Sequence, residues 1–493
     1  MELEFSGHRK QSVKKNHPAE RCAVSPGCVS LKERFTDVLR KHCMLEPGST
    51  VIVACSGGAD SVALLRLFSE IRTSYPVNPV CVHVEHGIRG TASKEDAAFV
   101  ESLCREYQIP FRLYEVDVPG EAAERHDGLE MVARELRYRM LEEAKCAEHA
   151  AAIAVAHHRR DQAETILMHL MRGCDTDALS GMQWRDRDII RPFLGTDPDE
   201  LKAFLAEQNS AWCEDLTNAD THYTRNRVRH CILPEMEKAY PGAEMALCRL
   251  GLSAARDRDF FREQVNGLSL SDCVFRFPAG LALPAELLST LHPAVGSRAV
   301  VELVRLAGLP VQDRSKIDAV LNLTLAAQDS AENLEGSGRA RLWRGLLILA
   351  RPQSAGDKMI LPAPDGQVRT LYGTFTFCEA RPDETGDGRT AQAVPSDCLS
   401  GAVISGAAAG GRFQPFGRQD RDGTAMSFLT KVPLPAEIRE RMPVICDSTG
   451  EVLWIPGVRP SERARRQCAG RVLITWDGGR DIEKIVQFAR GNR

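Results

Sequence analysis

The sequence predicts an α/β fold: a Rossmann-like parallel sheet in the first half, then a helical domain and a small mixed α/β domain near the C-terminal end. Three observations carry this. The apolar run Val51 to Cys55 breaks into Ser56-Gly57-Gly58-Ala59-Asp60-Ser61 and then into a helical pattern. Strand-like and helix-like segments follow in alternation at roughly 30-residue intervals, the spacing of parallel strands joined by helices. The unusual residues gather where strands should end: Ser56 to Ser61, His83 to Arg89 and His157 to Asp161. Open α/β sheets bind their ligands at that edge.

Leu31 to Met44 reads as a lead-in helix, and Val51 to Cys55 as the first strand. Leu64, Leu67, Phe68 and Ile71 recur at i, i+3, i+4 and i+7, so the next segment is a helix with one apolar stripe, and Asp60 or Ser61 is placed to cap it. Asn78 to Val84 is the second strand, Lys94 to Tyr107 a helix, Phe111 to Val116 the third strand and Leu129 to Ala147 a helix. Ala151 to Ala156 is the fourth strand, and Asp161 to Arg172 the helix after it.

The glycine-bearing turn reads as a phosphate cradle. Two glycines let backbone N–H groups approach an anion closely, and a helix N-terminus adds about half a positive charge there. No Gly-Lys-Ser/Thr ending and no three-glycine dinucleotide fingerprint accompany it, so neither γ-phosphoryl transfer nor hydride transfer is favoured.

A second cluster is His83-Val-Glu-His86-Gly-Ile-Arg89-Gly90. A lone histidine at a strand end is more often structural, but His86, Gly87, Arg89 and Gly90 join His83 at the expected active edge. On the following helix Arg134, Arg137 and Tyr138 share a face. They are either a solvated face paired with Glu130 and Glu135 or a basic edge that meets phosphate. A third cluster runs from His157 to Thr165. Asp161 and Glu164 lie one turn apart at a helix N-terminus, where they either complement the dipole or hold an amine or a magnesium ion.

Ser-Gly-Gly-x-Asp-Ser after a strand resembles the signature of the ATP-pyrophosphatase, or PP-loop, superfamily. Taken with His-x-x-His-Gly-x-Arg-Gly, Ala133-Arg134-x-x-Arg137-Tyr138, His-His-x-x-Asp-Gln-x-Glu-Thr, Arg172-Gly173, Arg191-Pro-Phe-Leu194 and Arg225-Asn-x-Val228-Arg229-His230, the order resembles the tRNA(Ile)-lysidine synthetases over roughly residues 45–235. Arg160 departs from the pattern, which usually has an acidic residue there.

The resemblance implies an ATP-dependent carbon–nitrogen ligase that adenylates the 2-carbonyl oxygen of the wobble cytidine in an isoleucine tRNA with a CAU anticodon. Free L-lysine then attacks through its side-chain amine, and AMP leaves. It implies ATP and Mg2+ as cofactors, with the metal ligands unassigned, and a cytoplasmic location. It also implies ATP contact by Ser56, Gly57, Gly58, Ala59, Asp60 and Ser61, with Asp60, Asp161 and Glu164 catalytic. His86, Arg89, Arg134, Arg137, His157, Arg225, Arg227 and Arg229 are the candidate tRNA or substrate contacts. Members are often dimers, so a homodimer belongs among the implied partners. The chemistry is coherent, because adenylation turns a poor leaving oxygen into AMP, and a carboxylate near the lysine ammonium serves both binding and proton removal.

A chain of 493 residues should hold two to four domains, since single cores rarely grow past roughly 250–300 residues. Hydrophobic content of 43% and charged content of 26% are ordinary for globular chains, and no apolar run approaches the roughly 18 residues of a membrane span. The 16 cysteines lack zinc spacing and are expected to be reduced thiols. A net charge of −4 excludes a globally basic nucleic-acid binder, so such contacts must be local.

Residues 1–30 read as a disordered extension of a cytosolic protein and 31–235 as the ATP-binding catalytic domain. Thr196 to Glu200 starts a helix with a cap, a proline and an acidic third position. Arg225, Arg227 and Arg229 alternate in a short basic run that contacts phosphates or pairs with Glu214 and Asp215. Residues 240–352 read as a mainly helical tRNA-binding domain containing one strand, Arg341 to Leu349. Residues 353–398 read as a linker region, 399–475 as a C-terminal tRNA-binding domain and 476–493 as a tail. Between 405 and 493 there are 15 Lys/Arg against 10 Asp/Glu, a surplus that could meet an acceptor stem. The rival readings are a sulfur-transferring tRNA thiolase, for which Cys174 is the nearby thiol, an amide synthetase, and a non-catalytic nucleotide sensor.

Overall fold

The computed structural model describes residues 29–88, 91–214, 224–277, 280–326, 328–351, 359–360, 366–370, 373–381, 383–409, 411–417, 423–466, 468 and 470–491. Residues 1–28 of the extension expected over 1–30, together with Arg89, Gly90 and Asp215, lie outside these residues. The chain divides into two compact units, residues 1–259 and 260–493.

The first unit is built on β1 (Thr50–Ala54), β2 (Asn78–Glu85), β3 (Phe111–Glu115), β4 (Ala152–Ala154), β5 (Arg185–Asp186) and β6 (Ile189–Ile190). The sheet order is β3-β2-β1-β4-β6-β5, with every pairing parallel except the β5–β6 hairpin. Strand order reverses between β1 and β4, and the crevice there is the natural ligand position in such sheets. Around the sheet run α1 (Leu31–Lys41), α2 (Ala59–Ile71), α3 (Thr91–Tyr107), α4 (Val118–Arg125), α5 (Leu129–Ala147), α6 (Arg159–Met171), α7 (Pro198–Glu207), α8 (Thr224–Arg227), α9 (Leu233–Ala239) and α10 (Ala243–Gly267).

Alternation along β1 decides which layer each residue joins. Val51 and Val53 pack with Leu64, Leu67, Phe68 and Ile71 of α2. Ile52 faces the other way, onto Val80, Val82, Leu141 and Ala144. Both faces are therefore covered, as the continuous apolar run requires. Burying each of these aliphatic side chains stabilises the fold by about 1.5–3 kcal/mol.

Several expectations need correction. The N-cap of α2 is Gly58, without a side-chain cap, because Asp60 and Ser61 already lie inside the first turn. The short α4 escaped the periodicity reading, since eight residues beginning Val-Pro-Gly give too little pattern; Asp117 caps it. Arg341 to Leu349 is two strands, Arg339–Trp343 and Leu346–Ala350, joined by a turn in which Arg344 and Gly345 have φ of 48° and 77°. That turn is what the Arg-Gly pair supplies.

In the second unit the stretch expected to be mainly helical contains a five-stranded antiparallel sheet. Helices Pro293–Leu306 and Arg314–Leu323 contribute to the same core. Its strands have three to five residues, and Leu346–Ala350 is buried throughout, so no period of two marks it. The expected linker also needs correction. Within it, Gly366–Thr370, Gly373–Glu379 and Ala391–Pro395 join Arg471–Trp476 in a sheet that buries Phe375. The expected tail is the helix Gly479–Gly491, whose Ile482 and Ile485 are buried in that core.

Candidate active site

The turn after β1 is held by its own hydroxyls. Ser61 Oγ donates to the Gly58 carbonyl at 2.9 Å and accepts from the Ser56 N–H at 3.2 Å. The Ser56 hydroxyl lies 3.3 Å from the same oxygen. Gly57 has φ of +92°, a conformation that other residues rarely adopt, and its carbonyl accepts from the Cys213 N–H at 2.9 Å. The first N–H groups of α2 have no intrahelical partner, so the turn presents donors and the helix dipole to the crevice.

Asp60 stands at the start of α2. Its Oδ1 is buried and has no hydrogen-bond partner among the described residues, while Oδ2 lies 3.6 Å from His158 Nε2. Burial raises the Asp60 carboxyl above the usual range, against the opposing charge of His158. His158 also caps α6: its Nδ1 accepts from the Asp161 N–H at 3.3 Å, and Asp161 Oδ2 accepts from the His158 N–H at 3.0 Å. An accepting Nδ1 leaves the proton on Nε2, the nitrogen nearer Asp60. The sequence reading passed over His158, although Ser, Asp and Asn are the usual caps and a histidine there was the available signal.

Asp161 and Glu164 meet Arg225 and Arg229. Arg225 donates from Nε to Glu164 Oε2 at 2.9 Å and from Nη2 to Asp161 Oδ1 at 3.1 Å. Arg229 donates from Nε to Glu164 Oε1 at 2.5 Å and from Nη2 to Glu164 Oε2 at 2.9 Å and Asp161 Oδ1 at 2.7 Å. Glu164 is 0% exposed. Burial pushes Asp161 up, but His158, Arg225, His157 and Arg229 outweigh it and hold its carboxyl below the usual range. The arginine run is not alternating. It is α8 followed by a π-helical turn, Val228–Ile232, so Arg225 and Arg229 share a face and exposed Arg227 points elsewhere.

The basic edge lies at the ends of β2 and β4. Arg137 Nη2 is 3.4 Å from His86 Nε2, and the Arg134 guanidinium sits 5.2 Å from the Tyr138 ring centroid. Glu135 pairs with Arg125 instead, so that part of the bland reading fails. Arg191 is a further cation the sequence reading named only within a motif: it is 6% exposed, donates to the Gln183 carbonyl, and leaves its Nε without a partner among the described residues. His157 lies in its field. Burial, with Arg191, Arg225 and Arg134, lowers His157 to about 4 against the pull of Asp161, so it is neutral near pH 7. His83 is structural, its Nδ1 2.9 Å from the Cys55 carbonyl. Arg160, the departure from the expected pattern, pairs with Glu244 and Asp199.

No group of three His, Cys, Asp or Glu suited to a metal occurs among the described residues. Magnesium in nucleotide sites needs only one or two carboxylates beside phosphate oxygens, and the orphaned Oδ1 of Asp60 fits that demand.

A strand, a Ser-Gly-Gly turn and a helix at the sheet's switch point define a PP-loop nucleotide-binding protein, and residues 29–236 match the family model described as PP-loop domain. The chain is 29% identical over 471 residues to a tRNA(Ile)-lysidine synthase of Porphyromonas gingivalis, covering 88% of this chain and 95% of that one. It is 27% identical over 466 residues to the Bacillus subtilis protein of the same name, covering 86% and 93%. Against the Thermus thermophilus protein identity is 35% over 331 residues, covering 67% and 62%. The chain belongs to the tRNA(Ile)-lysidine synthetase family.

Proposed function

We propose that this chain converts the wobble cytidine of a CAU-anticodon isoleucine tRNA to lysidine. The cytidine O2 attacks the α-phosphorus of ATP, and the bond to the β-phosphate breaks to release pyrophosphate. The lysine side-chain amine then forms a bond to C2, the C2–O bond breaks, AMP leaves and the ammonium proton is lost. The observation that carries this is the convergence of Asp60, His158, Asp161 and Glu164 with Arg225 and Arg229 beside the glycine turn.

The turn Ser56 to Ser61 holds the departing pyrophosphate with backbone N–H groups. Asp60 would hold magnesium, which when bound offsets the charge developing on pyrophosphate. Asp161 receives the lysine ammonium: Oδ1 already accepts from two arginines, whereas Oδ2, among the described residues, accepts the His158 N–H and lies 3.4 Å from His158 Nε2, which leaves room for one more donor. Glu164 is sealed from solvent and its oxygens already face arginine, so its role narrows from amine acceptor to positioning Arg225 and Arg229. His86, Arg134, Arg137 and His157 serve the approach of phosphate and cytosine, with Arg89 and Arg227 as further tRNA contacts. Residues 240–352 and 399–475 serve the body of the tRNA.

No helix among the described residues is long and apolar enough to cross a membrane. ATP, lysine and tRNA meet in the cytoplasm, where we place the enzyme. A homodimer is the assembly the family likeness implies, and light scattering of the purified chain tests it.

The deciding experiment incubates the protein with labelled lysine, ATP, magnesium and an unmodified CAU-anticodon isoleucine transcript, beside a methionine transcript. Label in the first RNA alone, with AMP released, is the expected result. Sulfur incorporation without lysine transfer would move the chain to the thiolases and make Cys174 the residue to test.

A further inference from the structure

A second concave site lies within the first unit, outside the cluster just described. It is a cavity of about 250 Å3 bounded by the end of α1, the first turn of α6, residues 180–185 and the 251–258 part of α10. That volume falls just below the roughly 300–1,000 Å3 of drug-sized sites, so it has room for a single base and little more.

Its wall has a definite chemistry. His42 and Trp184 stack with ring centroids 4.4 Å apart and planes 13° from parallel. Burial and Lys41 lower the His42 pKa, so the ring is a neutral aromatic surface at pH 7. Arg258 enters from α10 and donates to Ser180 Oγ at 2.7 Å; it meets no carboxylate among the described residues. Arg185 directs its guanidinium to the carbonyls of Cys43, Met44 and Arg187; it makes no ion pair among the described residues, and its charge is felt at Asp188. Two guanidinium groups without an ion pair among the described residues, beside an aromatic pair, form the environment in which proteins hold unstacked nucleotides of single-stranded RNA.

The cavity is also wired to the reaction centre. Gln162 follows Asp161 on α6 and holds the cavity's loop through three bonds: Nε2 to the carbonyls of Ser180 and Met182 at 3.2 and 3.0 Å, and Oε1 from the Met182 N–H at 2.8 Å. Gly181, at φ of +62°, admits that contact, because a Cβ there would come within 2.7 Å of the Gln162 amide oxygen. Arg191 ties the same loop to the basic edge through the Gln183 carbonyl at 2.9 Å.

We propose that this cavity docks a second, non-reacting unpaired nucleotide of the substrate RNA, with Arg258 and Arg185 at its phosphate and the His42–Trp184 pair along its base. The proposal rests on the reading of the chain as a tRNA-modifying enzyme. It makes Arg258 a binding residue that touches neither ATP nor lysine.

The test uses the full chain and the unmodified isoleucine transcript, with Arg258→Ala, Arg258→Lys and Arg185→Ala compared by thermal melting before use. RNA binding is measured across a salt series, and KM is measured separately for tRNA and ATP. Arg258→Ala is expected to weaken RNA binding about tenfold and to lower the salt slope by about one, with KM for tRNA raised and KM for ATP unmoved. Arg258→Lys should restore the slope but not the full affinity, since it keeps charge without the fork. Folded Arg258→Ala and Arg185→Ala proteins that both bind RNA with the parent's affinity and slope overturn the proposal. Failure of the parent to form lysidine would instead overturn the functional reading, and the binding series reports on the cavity independently of it.

Discussion

Arg229 lies side-on across Glu164, its Nε on one carboxylate oxygen at 2.5 Å and its Nη2 on the other at 2.9 Å. The carboxylate is sealed, whereas the Arg229 side chain keeps 26% of its surface. Removing the acid leaves two guanidinium groups, largely out of water, to share Asp161 alone. Glu164→Ala should therefore cost about 2–3 kcal/mol, less than the ~3–5 of a fully buried pair because the arginines can partly rehydrate. Urea unfolding checks this, with the midpoint lowered and the slope unchanged. Glu164→Gln should cost less, since it keeps an acceptor.

Arg225 and Arg227 are two residues apart and should behave differently. Arg225 bonds Asp161 and Glu164, whereas exposed Arg227 makes no ion pair among the described residues. Arg227→Ala should leave stability within about 0.5 kcal/mol of the parent and reduce the salt slope of RNA binding. Arg225→Ala should lower stability and lysidine formation together. Parallel melting curves and filter-binding titrations distinguish the two.

Acid sensitivity has an assigned origin. His157 titrates from an ordinary 6.5 down to about 4 in the fold, so the unfolded chain takes up its proton first. Its contribution is present above pH 6.5 and is lost as pH falls toward 4, by up to about 1.4 kcal/mol per unit. Asp161, held below its ordinary 3.8, adds a loss only at lower pH. His157→Gln should flatten the stability profile between pH 6.5 and 4 and leave the steeper loss below it.

Asp60 has the opposite sign. Its raised carboxyl favours the protonated form in the fold, so the stability it contributes is present below its unfolded pKa and lost as pH rises through the folded one. At neutral pH the ionised group therefore strains the fold. Asp60→Asn should keep or raise the melting temperature while abolishing ATP–pyrophosphate exchange. Retained exchange would remove Asp60 from the nucleotide site.

Gly57→Ala tests the turn. At φ of +92° a side chain costs about 1–3 kcal/mol, and the new Cβ would also sit 3.4 Å from Cys213 Sγ. Weaker ATP binding measured by calorimetry, with KM for lysine little changed, is the expected result.

The sequence alone determined the parallel sheet and the edge that carries the chemistry, because those signals are local. Val51 to Cys55 is apolar without interruption, Leu64, Leu67, Phe68 and Ile71 repeat at helical spacing, and Gly57 and Gly58 mark the turn between them. The short strands of the second unit gave no such period, so Arg339–Trp343 and Leu346–Ala350 were read as one strand and Gly373–Glu379 as part of a linker. Only the tertiary structure decided what the charged residues do. Glu164 and Arg229, 65 positions apart, read separately as an amine acceptor and a phosphate contact. In the fold they face each other, because a carboxylate removed from water requires a cation beside it. Likewise nothing near Trp184 in the chain announces His42 or Arg258, which reach it from α1 and α10. A contact between distant segments leaves no periodicity to read, and its energy exists only once the chain has closed around it.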